Sequence, residues 1–484
     1  MSRARVIATI GPACDNDEMI QTMIEEGLDI ARLNYSHGDF PSKKITYDRL
    51  RKFEEKTKKH IGILADLPGP KLRLGRFDGA IPLIEGETVN LCCGVEEGTD
   101  NGLPVPWGGL SKDLRDGDPI LLADGLVRLE VLSSPQKEGQ VVSCKIIDGG
   151  KITQRKGINV PGTLVNLPAV GPYDKKCLSH ALELGVDFVA VSYVRTPEDL
   201  LPAREMIKEA GVHTWIIAKI EHPSALNHLE EIVALSDVIM VARGDLGVEI
   251  PLEQVPAAQE RVILTCLQRG VPVIVATQML ESMVENPRPT RAEVSDVATA
   301  IRQGANAVML SGETAGGNYP LESLKTMVKI SNEVTKAISD LPPPPALAEF
   351  LSTRAIAQSA VQLAKEIEAD HIIVATEHAN AAKLVAAFRP NIPVTAMTNR
   401  IRACRRTSIL PGINAIVVEQ QNRSRDTIAL ATSKLWKEGQ LNAGDKVVSI
   451  SGSPEAITGQ TSTIRVLDIG KEGRVDSLNK LLVF

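Results

Sequence analysis

Eight short apolar runs, seven of them followed by a helix-type segment before the next, organise the first two thirds of the chain. They lie at 6–10, 28–33, 61–65, 188–194, 215–218, 238–242, 271–276 and 307–310. Short, mostly aliphatic runs with little polar alternation are the pattern of strands buried on both faces of a parallel sheet. An eightfold β/α alternation closes into a (β/α)8 TIM barrel, where chemistry belongs at the carboxyl ends of the strands. Aromatic residues make up 3% of the chain, which suits aliphatic α/β packing better than a β-sandwich.

Those carboxyl ends are where the charge collects. The run at 215–218 passes into Lys219-Ile220-Glu221, and the run at 238–242 into Arg243-Gly244-Asp245. In an extended chain residues i and i+2 share a face, so Lys219 and Glu221 point together, as do Arg243 and Asp245. Two carboxylates and two cations at one end of a parallel sheet make a site for a divalent metal and a phosphate. Mg²⁺ keeps several waters and takes one or two protein carboxylates plus substrate oxygens, a demand that Glu221 and Asp245 fit. The competing reading is a surface ion-pair network among the same four residues; the strand-end placement of both pairs favours the site. Phosphoryl transfer needs cations around a moving phosphate more than it needs covalent chemistry. Arg32, Arg73 and Lys219 can supply that charge. Arg32 closes an apolar run, where an unpaired charge is costly, so an anionic partner is expected. Arg32, Asn34 and Ser36 alternate and present one side. Residues 452–461 have the wrong spacing for a Walker loop, with Gln460 where its lysine belongs. His222 and His228 lack metal-ligand spacing and are expected to face solvent.

A chain of 484 residues is too long for one core. Residues 74–160, rich in Gly, Asp, Pro and short alternating runs, read as a small β-rich lid inserted after the third strand. That leaves the barrel in two pieces, 1–73 and 161–341. A stiff proline linker occupies 342–352, and 353–470 read as a separate doubly wound α/β domain. The tail 471–484 receives no role. A net charge of −6 argues against nucleic acid as the main partner. No apolar run approaches the roughly 18–20 residues that span a bilayer. Seven scattered cysteines without a CxxC pair fit a reducing compartment better than a disulfide framework. The first strand begins too early to leave room for a signal peptide. The expectation is a soluble cytoplasmic protein.

Several motifs together resemble pyruvate kinase along almost the whole length, to about Asp468. They include Ala31-Arg32-Leu33-Asn34-Tyr35-Ser36-His37-Gly38, Gly69-Pro70-Lys71-Leu72-Arg73 and Lys156-Gly157-Ile158-Asn159-Val160-Pro161-Gly162. Ala218-Lys219-Ile220-Glu221, Ala242-Arg243-Gly244-Asp245, Ala276-Thr277-Gln278-Met279 and Ser311-Gly312-Glu313-Thr314 complete the set. The resemblance implies phosphoryl transfer from phosphoenolpyruvate to ADP, giving pyruvate and ATP, the last step of glycolysis. It implies Mg²⁺ (or Mn²⁺) on Glu221 and Asp245, and Lys219 stabilising the phosphoryl group. Arg32 and Arg73 would contact phosphates, and the backbone of Gly244 and Asp245 would meet the substrate carboxylate at a helix start. Thr277, with Ser311 and a water, would lie near the carbon that is protonated. Arg73, Lys156, Asp124 and His37 would hold the nucleotide, with the insert closing over it as a lid. A homotetramer is expected by the same resemblance.

Two departures shape what else is expected. Potassium-dependent members carry glutamate where this chain has Lys71 and threonine where it has Leu67. An ammonium at Lys71 can supply the charge that K⁺ gives beside Asn34, Ser36 and Asp66, so K⁺ is not expected to be required. Activator-binding members use a hydroxyl- and glycine-rich loop where this chain reads Thr376-Glu377-His378-Ala379-Asn380-Ala381. That argues against fructose 1,6-bisphosphate and leaves another sugar phosphate or a nucleotide as allosteric effector, with Thr461-Ser462-Thr463 nearby. Loss of Lys219, Glu221, Asp245 or Thr277 would favour a catalytically silent paralogue that binds metabolites, and all four are present. A lyase or aldolase would need no nucleotide clamp.

Overall fold

Strand pairing closes the alternating runs on themselves. The computed structural model describes residues 4–70, 72–98, 101–123, 125–163, 167–337, 351–421, 423–452 and 462–475. Its barrel strands are β1 (Arg5–Thr9), β2 (Ile30–Asn34), β3 (Gly62–Asp66) and β4 (Phe188–Val191), then β5 (Trp215–Ile220), β6 (Val238–Ala242), β7 (Val273–Ala276) and β8 (Ala307–Leu310). All are parallel, follow one another round the barrel in chain order, and close with β8 against β1. The expected eight strands are all present, with ends displaced by up to three residues. Lys71, Asp124, the linker prolines Pro342 to Pro345, Thr461 and tail residues 476–484 lie outside the described residues.

Along each strand, side chains alternate between two apolar environments. Ile7, Ile30, Leu64, Phe188, Trp215, Ile217, Met240 and Ile274 fill the barrel interior. Val6, Ala31, Ile63, Val189, Ile216, Ile239 and Val275 pack against the surrounding helices. Burial on both faces is why the runs lack polar alternation. The interior cluster continues into Ala357, Ile409, Leu410 and Ile413, so the C-terminal unit closes the barrel's amino-terminal end. The approach is tight: a Cβ added to Gly62 would lie 2.4 Å from the Ser408 hydroxyl. Polar contacts fix the seam. Arg5 donates to the carbonyls of Leu410 (2.9 Å) and Ile413 (2.6 Å), and Arg405 lies 2.7 Å from Glu54 Oε2.

The segment between β3 and β4 forms a six-stranded sheet in the order Ile158–Asn159, Pro119–Leu122, Val127–Ser133, Val141–Asp148, Thr88–Cys93, Leu103–Val105. A two-stranded ribbon, Ala80–Leu83 with Gly150–Thr153, lies beside it. The C-terminal sheet has five strands in the order Ile413–Val417, Val394–Thr398, His371–Ala375, Lys446–Ser451, Thr463–Asp468, the last antiparallel. Among the described residues no helix is long and apolar enough to cross a membrane.

The seam is acid-sensitive at Glu54. Burial pushes its carboxyl up, but hydrogen bonds from His60 and Arg405 and the charge of Arg51 outweigh that and hold it at about 2, against an ordinary 4.5. A folded pKa below the unfolded one adds stability above the unfolded value and loses it as pH falls through the folded value. Denaturant unfolding should therefore show stability falling between pH 4.5 and about 2, with a shallower slope in Glu54→Gln.

Candidate active site

Strand parity decides which side chains enter the barrel. Lys219 and Glu221 follow Trp215 and Ile217 at spacing two, Arg32 follows Ile30, Asp66 follows Leu64, Thr9 follows Ile7, and Ser192 follows Ala190. They converge at the carboxyl end. Lys219 Nζ lies 2.8 Å from Glu221 Oε1 and 3.3 Å from Asp66 Oδ1, and donates to Ser192 Oγ at 2.9 Å. Arg32 donates from Nε to Asp66 Oδ2 at 2.7 Å and from Nη1 to Thr9 Oγ1 at 2.9 Å. The second oxygen of Glu221 accepts from the Tyr193 N–H at 2.7 Å. Arg32 thus has the anionic partner its position demanded. Arg32, Asp66, Lys219 and Glu221 form a largely buried series alternating in sign.

Protonation follows from that series. Burial opposes the Lys219 ammonium, but Asp66, Glu221 and Asp245 outweigh it and raise its pKa. Burial likewise opposes the Asp66 carboxylate, and Lys219 and Arg32 reverse the balance and lower its pKa. Glu221 goes the other way: burial raises it, Asp245 adds to the rise, and Lys219 opposes.

Asp245 arrives by a route that strand parity does not describe. The helix Arg243–Glu249 begins directly after β6, so Arg243 and Asp245 are not in extended chain. Arg243 leaves the site: it donates to Asp296 at 2.7 Å and to the Thr277 carbonyl at 2.9 Å. The expectation of two paired cations is corrected accordingly; the second cation is Arg32. In the first turn of the helix the Gly244 N–H donates to Thr277 Oγ1 at 2.7 Å. Thr277 (φ +70), Gln278 (φ +53) and Tyr193 (φ +53) hold left-handed backbone just past the ends of β7 and β4. Non-glycine residues keep such strain where the surroundings over-determine it, as they do at functional sites.

The donor set facing Lys219 is oxygen only, and two carboxylates, Glu221 and Asp245, can serve a cation. Among the described residues no group of three or more His, Cys, Asp or Glu is placed to hold a metal. Carboxylate oxygens of this kind suit a hard ion, which takes one or two protein carboxylates and completes its shell with substrate and water.

The remaining candidates fall into two places. Asn34 Oδ1 accepts from the Ser36 N–H at 3.0 Å, Leu67 is buried, and Ser36 and His37 are exposed beyond β2. Arg73 and Lys156 are exposed where the insert joins the barrel, Arg73 donating to the Arg155 carbonyl at 3.1 Å and its backbone bridging Gly157. His222 is buried, not solvent-facing: it caps the helix Pro223–Asn227 by accepting from Ser224 N–H, and burial pushes it down to about 4. His228 is exposed, as expected. Thr9 and Ser192 are site residues that the sequence reading passed over, although their parity with Ile7 and Ala190 marked them. Tyr193 carried no signal.

Comparison with known proteins places the whole chain. Residues 1–324 match the family model "Pyruvate kinase, barrel domain", and residues 354–467 match "Pyruvate kinase, alpha/beta domain". The chain is 39% identical to pyruvate kinase of Mycobacterium tuberculosis over 473 residues, covering 97% of this chain and 99% of that one. It is 39% identical to the Corynebacterium glutamicum enzyme over 479 residues, covering 98% and 99%. A crystal structure of a pyruvate kinase from Cryptosporidium parvum superposes with a TM-score of 0.87 at 33% identity, covering 96% of each chain.

Removing one member of a buried charge series leaves its partner uncompensated. Asp66→Ala should destabilise the protein by about 3 kcal/mol in urea unfolding at neutral pH, since Arg32 then faces no carboxylate.

Proposed function

The chain belongs to the pyruvate kinase family, and from that premise we propose that it transfers the phosphoryl group of phosphoenolpyruvate to ADP, giving pyruvate and ATP. The observation that carries this reading is the Lys219 ammonium, kept protonated by Asp66 and Glu221 at the mouth of the barrel with Arg32 on the far side of Asp66. The P–O bond to the enol oxygen breaks while a bond to the terminal oxygen of ADP forms. Lys219 faces the phosphoryl group as its charge spreads over its oxygens, and Arg32 holds a phosphate oxygen. Such fixed charge stabilises a transferring phosphate without rearranging at the moment of reaction.

The substrate carboxylate meets the backbone of Gly244 and Asp245, exchanging with the Thr277 hydroxyl that now occupies the Gly244 N–H. Thr277, with Ser311 and a water, then stands beside the carbon of enolpyruvate that takes up a proton. Glu221 and Asp245 hold Mg²⁺ or Mn²⁺, which when bound offsets the negative charge of the substrate and phosphate oxygens. Arg73, Lys156, Asp124 and His37 hold the nucleotide, with the insert, residues 74–160, closing over it as a lid.

K⁺ is not required in this reading. Asp66 already meets Arg32 and Lys219, Leu67 offers no side-chain oxygen, and Lys71 carries the charge that the ion would bring beside Asn34 and Ser36. The C-terminal unit binds a sugar phosphate or nucleotide effector other than fructose 1,6-bisphosphate, and the chain works as a cytoplasmic homotetramer.

The test is pyruvate and ATP formation from phosphoenolpyruvate and ADP with Mg²⁺, first with K⁺ excluded and then restored. Full activity without K⁺ is expected; a large rise on adding K⁺ would break the Lys71 argument, and no product under either condition would sink the whole reading. Lys219→Met keeps the stem and removes the charge. It should lower kcat at least about 10²-fold while changing the KM for phosphoenolpyruvate far less.

A further inference from the structure

A side chain of the inserted sheet reaches the loops at the barrel mouth. Asn159 lies on the insert's edge strand Ile158–Asn159, held there by backbone pairing with Leu121 and Leu122. Its amide Nδ2 donates to Glu249 Oε1 at 3.1 Å and lies 3.3 Å from the Tyr193 hydroxyl. All three residues are largely buried and border a cavity of about 60 Å³ at the junction of insert and barrel.

Both partners connect directly to the carboxylates of the site. Tyr193 donates its backbone N–H to Glu221 Oε2 at 2.7 Å, from a left-handed conformation (φ +53) that needs an external hold. Glu249 is the last residue of the seven-residue helix that carries Gly244 and Asp245. An amide that spends both hydrogens on these two groups therefore ties the insert to the residues on either side of the ion site. Loss of that amide removes a hydrogen bond from the Tyr193 hydroxyl and from the end of the helix together.

We propose that Asn159 is a positioning residue, a latch through which the seating of the insert sets the geometry of Glu221 and Asp245. This rests on the ion site described above. The latch depends on donation from an amide to a carboxylate, so its polarity can be reversed. Asn159→Asp is isosteric but sets a carboxylate against Glu249; the double variant Asn159→Asp with Glu249→Gln restores a hydrogen bond with donor and acceptor exchanged.

The measurement is Mn²⁺ affinity without substrate or turnover, read from the free-ion signal in electron paramagnetic resonance, alongside thermal unfolding. Asn159→Asp should weaken Mn²⁺ binding about tenfold, as expected for the loss of a hydrogen bond to a charged group, and the double variant should recover most of it. Asn159→Ala, which loses the donor without adding charge, should fall between wild type and Asn159→Asp. If Asn159→Asp fails to fold, Asn159→Ala decides alone, and a wild-type affinity there overturns the latch. Unchanged affinity in folded Asn159→Asp, or a loss that Glu249→Gln does not recover, also overturns it. Absence of Mn²⁺ binding to the wild-type chain would instead remove the ion site itself.

Discussion

The buried contact of Lys219 with Asp66 and Glu221 is the constraint around which the rest of the site is arranged. Two unit charges about 3 Å apart attract by roughly 5 kcal/mol at an effective dielectric of about 20. Removing each ion from water costs several kcal/mol, so the series of Arg32, Asp66, Lys219 and Glu221 adds little net stability. An apolar filling would serve the fold at least as well. What the charges provide is a fixed field at the barrel mouth, with cations whose counter-charges cannot relax away. Ser192, Thr9 and the Tyr193 N–H add one hydrogen bond each, to Lys219, Arg32 and Glu221.

Much of this was legible because two periodicities coincide in the sequence. A strand buried on both faces repeats every two residues, and the same parity that sends Trp215 and Ile217 into the barrel sends Lys219 and Glu221 after them. Arg32 and Asp66 obey the same rule. The rule fails where the backbone leaves the strand. At Arg243 a helix starts immediately, so spacing two no longer means one face, and Arg243 turns to Asp296 while Asp245 stays. His222 departs from the solvent-facing position expected of it for a related reason: the helix after β5 uses its ring as a cap and buries it, which spacing alone does not encode. Tyr193 and Asn159 act through contacts between segments far apart in sequence, which no local pattern encodes.

Backbone strain and electrostatics meet at the same places. Tyr193, Thr277 and Gln278 adopt left-handed backbone just beyond two barrel strands, and the first two hold groups of the site. Thr277 Oγ1 holds the Gly244 N–H, and the Tyr193 N–H holds Glu221. Gly69 shows the complementary solution on the neighbouring loop: φ is +71 and a Cβ would meet Ser192 Cβ at 2.5 Å, so only glycine permits that loop to pack against the hydroxyl that Lys219 needs.

The floor of the barrel belongs to another part of the chain. Ile409, Leu410 and Ile413 complete the apolar interior begun by Ile7, Leu64 and Phe188, and Ser408 sits where Gly62 leaves room for it. Two units that share one interior cannot be exchanged as separate modules. A C-terminal unit grafted from a relative would have to bring a matching underside, and substitutions at Gly62 or Phe188 would be tolerated only alongside changes at residues 408–413. Inheritance therefore treats the catalytic chamber and the unit beneath it as one part, however distinct their sheets.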